Sequence, residues 1–189
     1  MINPSFIPSQ DIQQLRDLLR FRMKLTYQIT GMKNRTLNYL TILNLKLDDV
    51  FSDVFGKSSH SIIRHILDHP SEHFYVALFI DKRCKHPIEE IQAAVDSAVN
   101  HKQATKLRIC LDFIDEQQKC ISELDAEIYR LVEPYAAVLD LMRTTPGLPK
   151  DLLIAICILS EIGADMSVFP TSKHLISWAG CCPHNDQSA

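Results

Sequence analysis

With 189 residues, 46% of them hydrophobic, the chain is long enough to bury a core as one medium domain or two small ones. A formal charge of -3 excludes a global electrostatic pull toward nucleic acid, so any such attraction has to be local. There are only five glycines, the six cysteines lack paired metal spacing, and there is no alternating β-type run, signal peptide or apolar stretch of about 18 residues. These features make a sheet hard to place and give no sign of a disulfide framework or a membrane span, and they predict a nearly all-helical cytoplasmic protein with reduced thiols.

The first predicted element opens behind Ser9, a good N-cap, with Asp11 in its first turn, and runs to about Leu45. Leu15, Leu18, Leu25, Ile29, Met32, Tyr39 and Leu43 follow a 3-4 alternation with Arg22 and Thr36 as polar exceptions, an imperfect coiled-coil seam. Gly31 weakens it by about 1 kcal/mol relative to alanine. The same helix carries Arg16, Arg20, Arg22, Lys24, Lys33 and Arg35, opposed only by Asp17. Arg16, Arg20 and Lys24 share one face. Such a stripe can neutralise phosphates, or it can be a solvated face that pairs with acids on another helix.

From Lys46 to Asn100 the pattern breaks into shorter helices, with Gly56 and Ser58 or Ser59 before one, Ser71 before the next and Pro87 in the first turn of a third. This reads as a turn region between two long arms. Asp81, Lys82, Arg83, Cys84, Lys85 and His86 form a second small basic cluster at a predicted turn, a pattern more often just a polar loop. The second arm carries the clearest periodicity: Leu107, Cys110, Ile114, Gln117, Ile121, Leu124, Ile128, Leu131, Tyr135, Val138 and Met142. Five heptads predict a coiled coil, and Gln117 is placed to fix register across the seam or to face solvent. Pro134 predicts a break near Glu133. Together the arms predict an antiparallel coiled-coil-like bundle, folded within one chain or paired between chains.

Pro146 and Gly147 end the second arm. A new helix is expected from Pro149 or Lys150, and its apolar run from Leu152 to Leu159 predicts burial, with Gly163 as its stop. Helix, short glycine turn and helix is the helix-hairpin-helix pattern, in which backbone N–H groups of the second helix face a phosphate, here with Gly147 and Lys150 at the corner. The same spacing also describes an ordinary αα-hairpin. Trp178 is expected to anchor the core against the apolar helix. Glu161 sits unfavourably at a helix C-terminus, so a partner such as Lys173 or a backbone amide is expected. Cys181, Cys182 and His184 do not make up a four-ligand zinc site.

The ordered run TTPGLPKDLLIAICILSEIGADMSVFPTSKHLISWAGCCP resembles the C-terminal domain of the IS-one-ten family of insertion-sequence transposases, the DEDD-type, bridge-RNA-guided recombinases. The residues that carry the resemblance are Pro146 and Gly147, Glu161 to Gly163, Asp165, Met166, Phe169 and Pro170, Ser177 to Gly180, and Cys182 with Pro183. Two upstream stretches, SFIPSQDIQQLRDLLRFRMKLTYQITGMKNR and KLDDVFSDVFGKSSHSIIRHIL, resemble the helices that follow the acidic catalytic domain in that family.

The resemblance implies DNA transposition by strand cleavage and rejoining, with DNA and a guide RNA as partners and homo-oligomers formed through the coiled coil. It implies a nucleophilic serine at Ser188, activated by a neighbouring base or charge, and a preceding RNase-H-like domain whose acidic residues bind Mg2+. That domain would lie before Ser5, so this chain is expected to be a fragment with no metal site or cofactor of its own and no catalysis by itself. The expected organisation is a helical coiled-coil region over 1–143 and the start of the transposase domain over 144–189. The rival reading is a non-enzymatic coiled-coil module that binds nucleic acid or another protein.

Overall fold

In the computed structural model, residues 8–69, 73–81, 84, 86–96, 101–148 and 150–180 are described, with the side chains of 101–103 excepted. Ser71, Lys82, Arg83, Lys85 and Pro149 lie outside them, as do Cys181, Cys182, Pro183, His184 and Ser188. Every regular element among the described residues is helical, so the fold is all-α.

Helix α1 (Gln10–Ile42) ends three residues earlier than its sequence pattern suggests, because the chain closes in a Schellman motif. Asn44 takes a left-handed φ of 55°, a conformation asparagine tolerates. The Leu45 amide reaches back to the Leu40 carbonyl at 2.9 Å and the Asn44 amide to that of Thr41 at 3.0 Å. Leu40 and Leu45 are both buried in one cluster, the apolar contact that accompanies this motif. The short α2 (Leu47–Val50) follows.

Helix α3 (Lys57–Asp68) opens at Gly56. The Asp53 carboxylate accepts the Phe55 amide at 2.9 Å, and a Cβ at Gly56 would come within 3.0 Å of the Asp53 carbonyl. A 3-10 turn (Val76–Phe79) and α4 (Ile88–Val95) come next, with Pro87 as the N-cap of α4. The Gln92 side chain stitches the two together, accepting the Val76 amide and donating to the Phe74 carbonyl, both at 3.1 Å. Helix α5 (His101–Val132) stops at the predicted break, where Pro134 sits in a 3-10 turn (Glu133–Tyr135) before α6 (Ala136–Arg143). The chain continues through α7 (Leu152–Ile162), a 3-10 turn (Met166–Val168) and α8 (Ser172–Trp178).

The chain divides into two compact units, one drawn from Met1–Phe21 and Leu124–Ala189, the other Arg22–Glu123. In the second unit the region expected to be a mere connector supplies the core. Ile62, Ile63, Ile66 and Leu67 of α3 are buried with Ile91 and Val95 of α4, Leu40 of α1, and Leu107 and Leu111 of α5. Here α1 and α5 run antiparallel, since Thr36 lies beside Cys110 while Lys106 lies over the Tyr39 ring at 5.9 Å. Arg64 of α3 forks onto Asp112 and Asp115 of α5. Arg108 grips the end of α3, donating to the Leu67 carbonyl at 2.6 Å and to Asp68 at 2.7 Å.

In the first unit Ile12, Leu15 and Leu19 of α1 are buried with Ile128 and Val132 of α5, Leu139 of α6, and Ala155, Ile156 and Leu159 of α7. Tyr135 donates to Asp11. The seam expected on the second arm is therefore displaced past Ile128. Val132 and Leu139 are buried, whereas Leu131, Tyr135, Val138 and Met142 are half-buried; the stripe has already moved within α5, where Ile128 is followed by Val132 at i+4 rather than by Leu131 at i+3.

Candidate nucleic-acid interface

The C-terminal hairpin is built by local rules. After α6 the chain makes a turn closed by the Leu148 amide on the Thr145 carbonyl at 3.2 Å. Pro146 fits the first central position, and Gly147, at φ 85°, supplies the positive angle that a type II turn needs at the second. Arg143 then reaches forward, its Nε donating to the Lys150 carbonyl at 3.1 Å.

Helix α7 begins at Leu152, two or three residues later than the expected start at Lys150 or Pro149. Its N-cap is Asp151, whose carboxylate accepts the Leu153 amide at 2.9 Å. An Asp directly before an apolar run is the usual N-cap signature, so this start was readable in the sequence. Physically, Asp151 places a negative charge where a phosphate would otherwise meet the free amides. Gly147 is exposed, with open space around the position of a Cβ, and the Lys150 side chain is exposed.

At the other end of α7, Gly163 adopts φ 75° and its amide bonds the Leu159 carbonyl at 2.8 Å. The last carbonyls of a helix have no partners within it. Here Arg16 supplies them, with Nε donating to Ser160 O at 3.0 Å and Nη2 to Glu161 O at 3.1 Å. Arg16 Nε also lies 3.3 Å from Glu161 Oε2, and Arg20 Nη2 lies 3.3 Å from Glu161 Oε1. The partner of Glu161 is thus not Lys173 but a pair of arginines 141 and 145 residues away along the chain. No local pattern announces a pairing at that separation.

Beyond Gly163, Asp165 caps the next 3-10 turn by accepting the Ser167 amide at 2.9 Å. Hydrogen bonds from the Ser167 side chain and backbone hold its carboxyl below the usual range. Trp178 is not the core anchor expected. It is 45% exposed and meets Phe169 with ring centroids 5.5 Å apart, so α8 covers its own turn rather than the buried face of α7.

The basic residues of α1 divide by environment. In the first unit Arg16 and Arg20 are engaged by α7. In the second unit Lys33 lies over the Phe55 ring at 4.9 Å, Arg35 donates to the Met32 sulfur at 3.6 Å and remains exposed, Arg22 is half-buried, and Lys24 is exposed. Lys24, Gln28, Gly31 and Arg35 fall on one exposed face with Tyr27 and Asn34 beside it. From Leu18 to Leu47 the sequence contains no Asp or Glu, so this face carries positive and neutral groups only. Tyr27 is 65% exposed; it falls outside the apolar seam of α1, which is the signal in the sequence that could have placed it on the surface.

Among the described residues, no three His, Cys, Asp or Glu side chains are placed to hold a metal ion. The divalent metal implied by the resemblance therefore has no donor set among those residues. Ser188, the implied nucleophile, lies outside the described residues.

Residues 139–189 match the model of the Transposase IS116/IS110/IS902 family. The matched segment begins at buried Leu139 and takes in the type II turn, α7 with its Arg-held C-terminus, and the Phe169–Trp178 contact. It supports a role for the chain in transposition. The chain matches no curated protein and no solved structure. Among the described residues no helix is long and apolar enough to cross a membrane.

Proposed function

We propose that this chain works in DNA transposition as a nucleic-acid-binding part of a transposase. The match of residues 139–189 to a transposase family carries this reading, and the acid-free exposed face of α1 supports it with charge complementary to a phosphodiester backbone. On that face Lys24 and Arg35 contact phosphates, while Tyr27, Gln28 and Asn34 supply stacking and hydrogen-bonding groups. Arg16, Arg22 and Lys33 have internal surroundings and contribute less. The hairpin is a second contact, made by the open backbone at Gly147 and the Lys150 side chain rather than by the N-terminus of α7, where Asp151 repels a phosphate.

Strand cleavage and rejoining, with Ser188 as nucleophile, belongs to the family reading, as do a guide RNA and Mg2+. Pairing of chains is the proposed assembly, but the seam residues Leu15, Leu25, Ile29, Leu107, Ile114 and Ile121 are buried within one chain, so the pairing would use other surfaces. The purified 189-residue chain is expected to bind nucleic acid without cleaving it.

A salt titration of binding to duplex DNA and to structured RNA tests the interface. The logarithm of affinity should fall linearly with that of salt, and Lys24→Ala or Arg35→Ala should each reduce the slope by about 1. Slopes unchanged in both variants would overturn the interface, and serine-dependent cleavage by the chain would overturn its non-catalytic status.

A further inference from the structure

Glu161 ends α7 in the Glu-Ile-Gly step, and its carboxylate is shared by two guanidinium groups that hold it differently. Arg16 is 22% exposed in its side chain, and its bonds to Ser160 O and Glu161 O involve main-chain atoms. Its position therefore does not depend on the Glu161 carboxylate. Arg20 is 59% exposed and meets both carboxylate oxygens, at 3.3 and 3.5 Å, while the Glu161 side chain is itself 47% exposed. A guanidinium fork accepts carboxylate and phosphate oxygens in the same geometry. An ion pair so open to water is weak enough to exchange.

We propose that Glu161 is an internal phosphate surrogate. In the free protein it occupies Arg20, and a nucleic-acid phosphate displaces it, so that Arg20 is offered to nucleic acid only in competition with α7. This rests on the reading of α1 as a nucleic-acid contact and adds its regulation: the exchange needs no unfolding, because Arg16 keeps the end of α7 in place through the backbone. Any contact that turns the Glu161 side chain away from Arg20 would raise affinity there, and bound nucleic acid would in turn favour that contact by the reciprocity of coupled equilibria.

The test uses the full chain, with fluorescence anisotropy on a duplex DNA and on a hairpin RNA at several salt concentrations. Glu161→Gln keeps the shape of the side chain and removes its charge. It should tighten binding about two- to fivefold, the range for release of an exposed ion pair, and steepen the salt dependence by up to about one counterion. The doubly substituted E161Q/R20A chain should lose both gains. Tightening on one probe alone would identify which nucleic acid supplies the phosphate.

Glu133→Gln, an exposed carboxylate in the 3-10 turn before α6, controls for net charge. An equal gain there, or a gain that survives R20A, would overturn the surrogate. Unchanged binding in E161Q while K24A weakens it would overturn the surrogate and leave the α1 contact standing. Unchanged binding in both would overturn both.

Discussion

Removing the Arg16 guanidinium should loosen the end of α7 far more than removing its carboxylate partner. Arg16→Met retains the apolar stem beside Leu15 and Leu19 but deletes the donors that reach Ser160 O at 3.0 Å and Glu161 O at 3.1 Å. Hydrogen bonds from a charged donor contribute about 1.5–3 kcal/mol each. The site is partly open to water, which can reach the freed carbonyls, so the lower figure applies and the two bonds together come to about 2–3 kcal/mol. Glu161→Gln removes only a solvent-screened pair worth less than about 1 kcal/mol.

Arg16→Lys should fall between, since an ammonium keeps the charge and one contact but not the fork. Because the chain has two compact units, a single unfolding free energy is a poor measure. Amide hydrogen exchange along α7 is local. A loss of about 2 kcal/mol should speed exchange of the last-turn amides roughly thirtyfold. Exchange in R16M no faster than in the parent chain, or as fast in E161Q as in R16M, would show that the main-chain bonds do not hold α7.

Gln117 has a buried Oε1 with no hydrogen-bond partner, so Gln117→Leu should stabilise the Arg22–Glu123 unit by about 1–2 kcal/mol, visible as a higher urea midpoint. A loss of stability would show that the amide has a partner after all. Asp151→Ala should cost about 1 kcal/mol through the lost N-cap, read as faster exchange in the first turn of α7. Ile156→Ala, at a fully buried position, should cost about 2–5 kcal/mol, and a change below about 1 kcal/mol in urea titration would contradict the core placed there.

Hydrogen bonds from Ser9 and then Tyr135 hold the Asp11 carboxyl below its ordinary value. A depressed carboxylate stabilises the fold above its unfolded pKa of about 3.9 and loses that contribution as pH falls through the lower folded value. Tyr135→Phe should therefore shrink the acid limb of the stability profile, measured as urea midpoints between about pH 2 and 6.

What the sequence disclosed about the fold was whatever depends on neighbours within a turn or two. The long helical arms, the stop at Pro134, the corner at Pro146 and Gly147 and the glycine stop at Gly163 all follow from backbone rules that act locally. The end of α1 was misplaced because Asn44 is a weaker left-handed signal than glycine, although asparagine serves the same position. The slip of the buried stripe from Leu131 to Val132 begins inside α5, where i+3 and i+4 neighbours share a face and the sequence alone does not say which of two adjacent apolar residues packs inward. Candidate site residues were legible as charges on α1 and not as occupants of particular environments. Arg16 and Lys24 look alike in sequence, yet one closes the end of α7 and the other faces water.

That separation bears on where recognition can occur. A buried helix in a phosphate-binding hairpin would need its N-terminal amides open to the ligand. In α7 the N-terminus carries Asp151 and the C-terminus carries Arg16, each end matched to its own dipole charge from within the chain. Both devices fasten α7 into its unit and leave little of its dipole for an outside anion. Affinity for a phosphodiester, in the function proposed, must then come from side-chain cations on a surface without competing acids. The face of α1 around Lys24 and Arg35 meets that condition in one unit, and in the other Arg20 meets it only when Glu161 lets go.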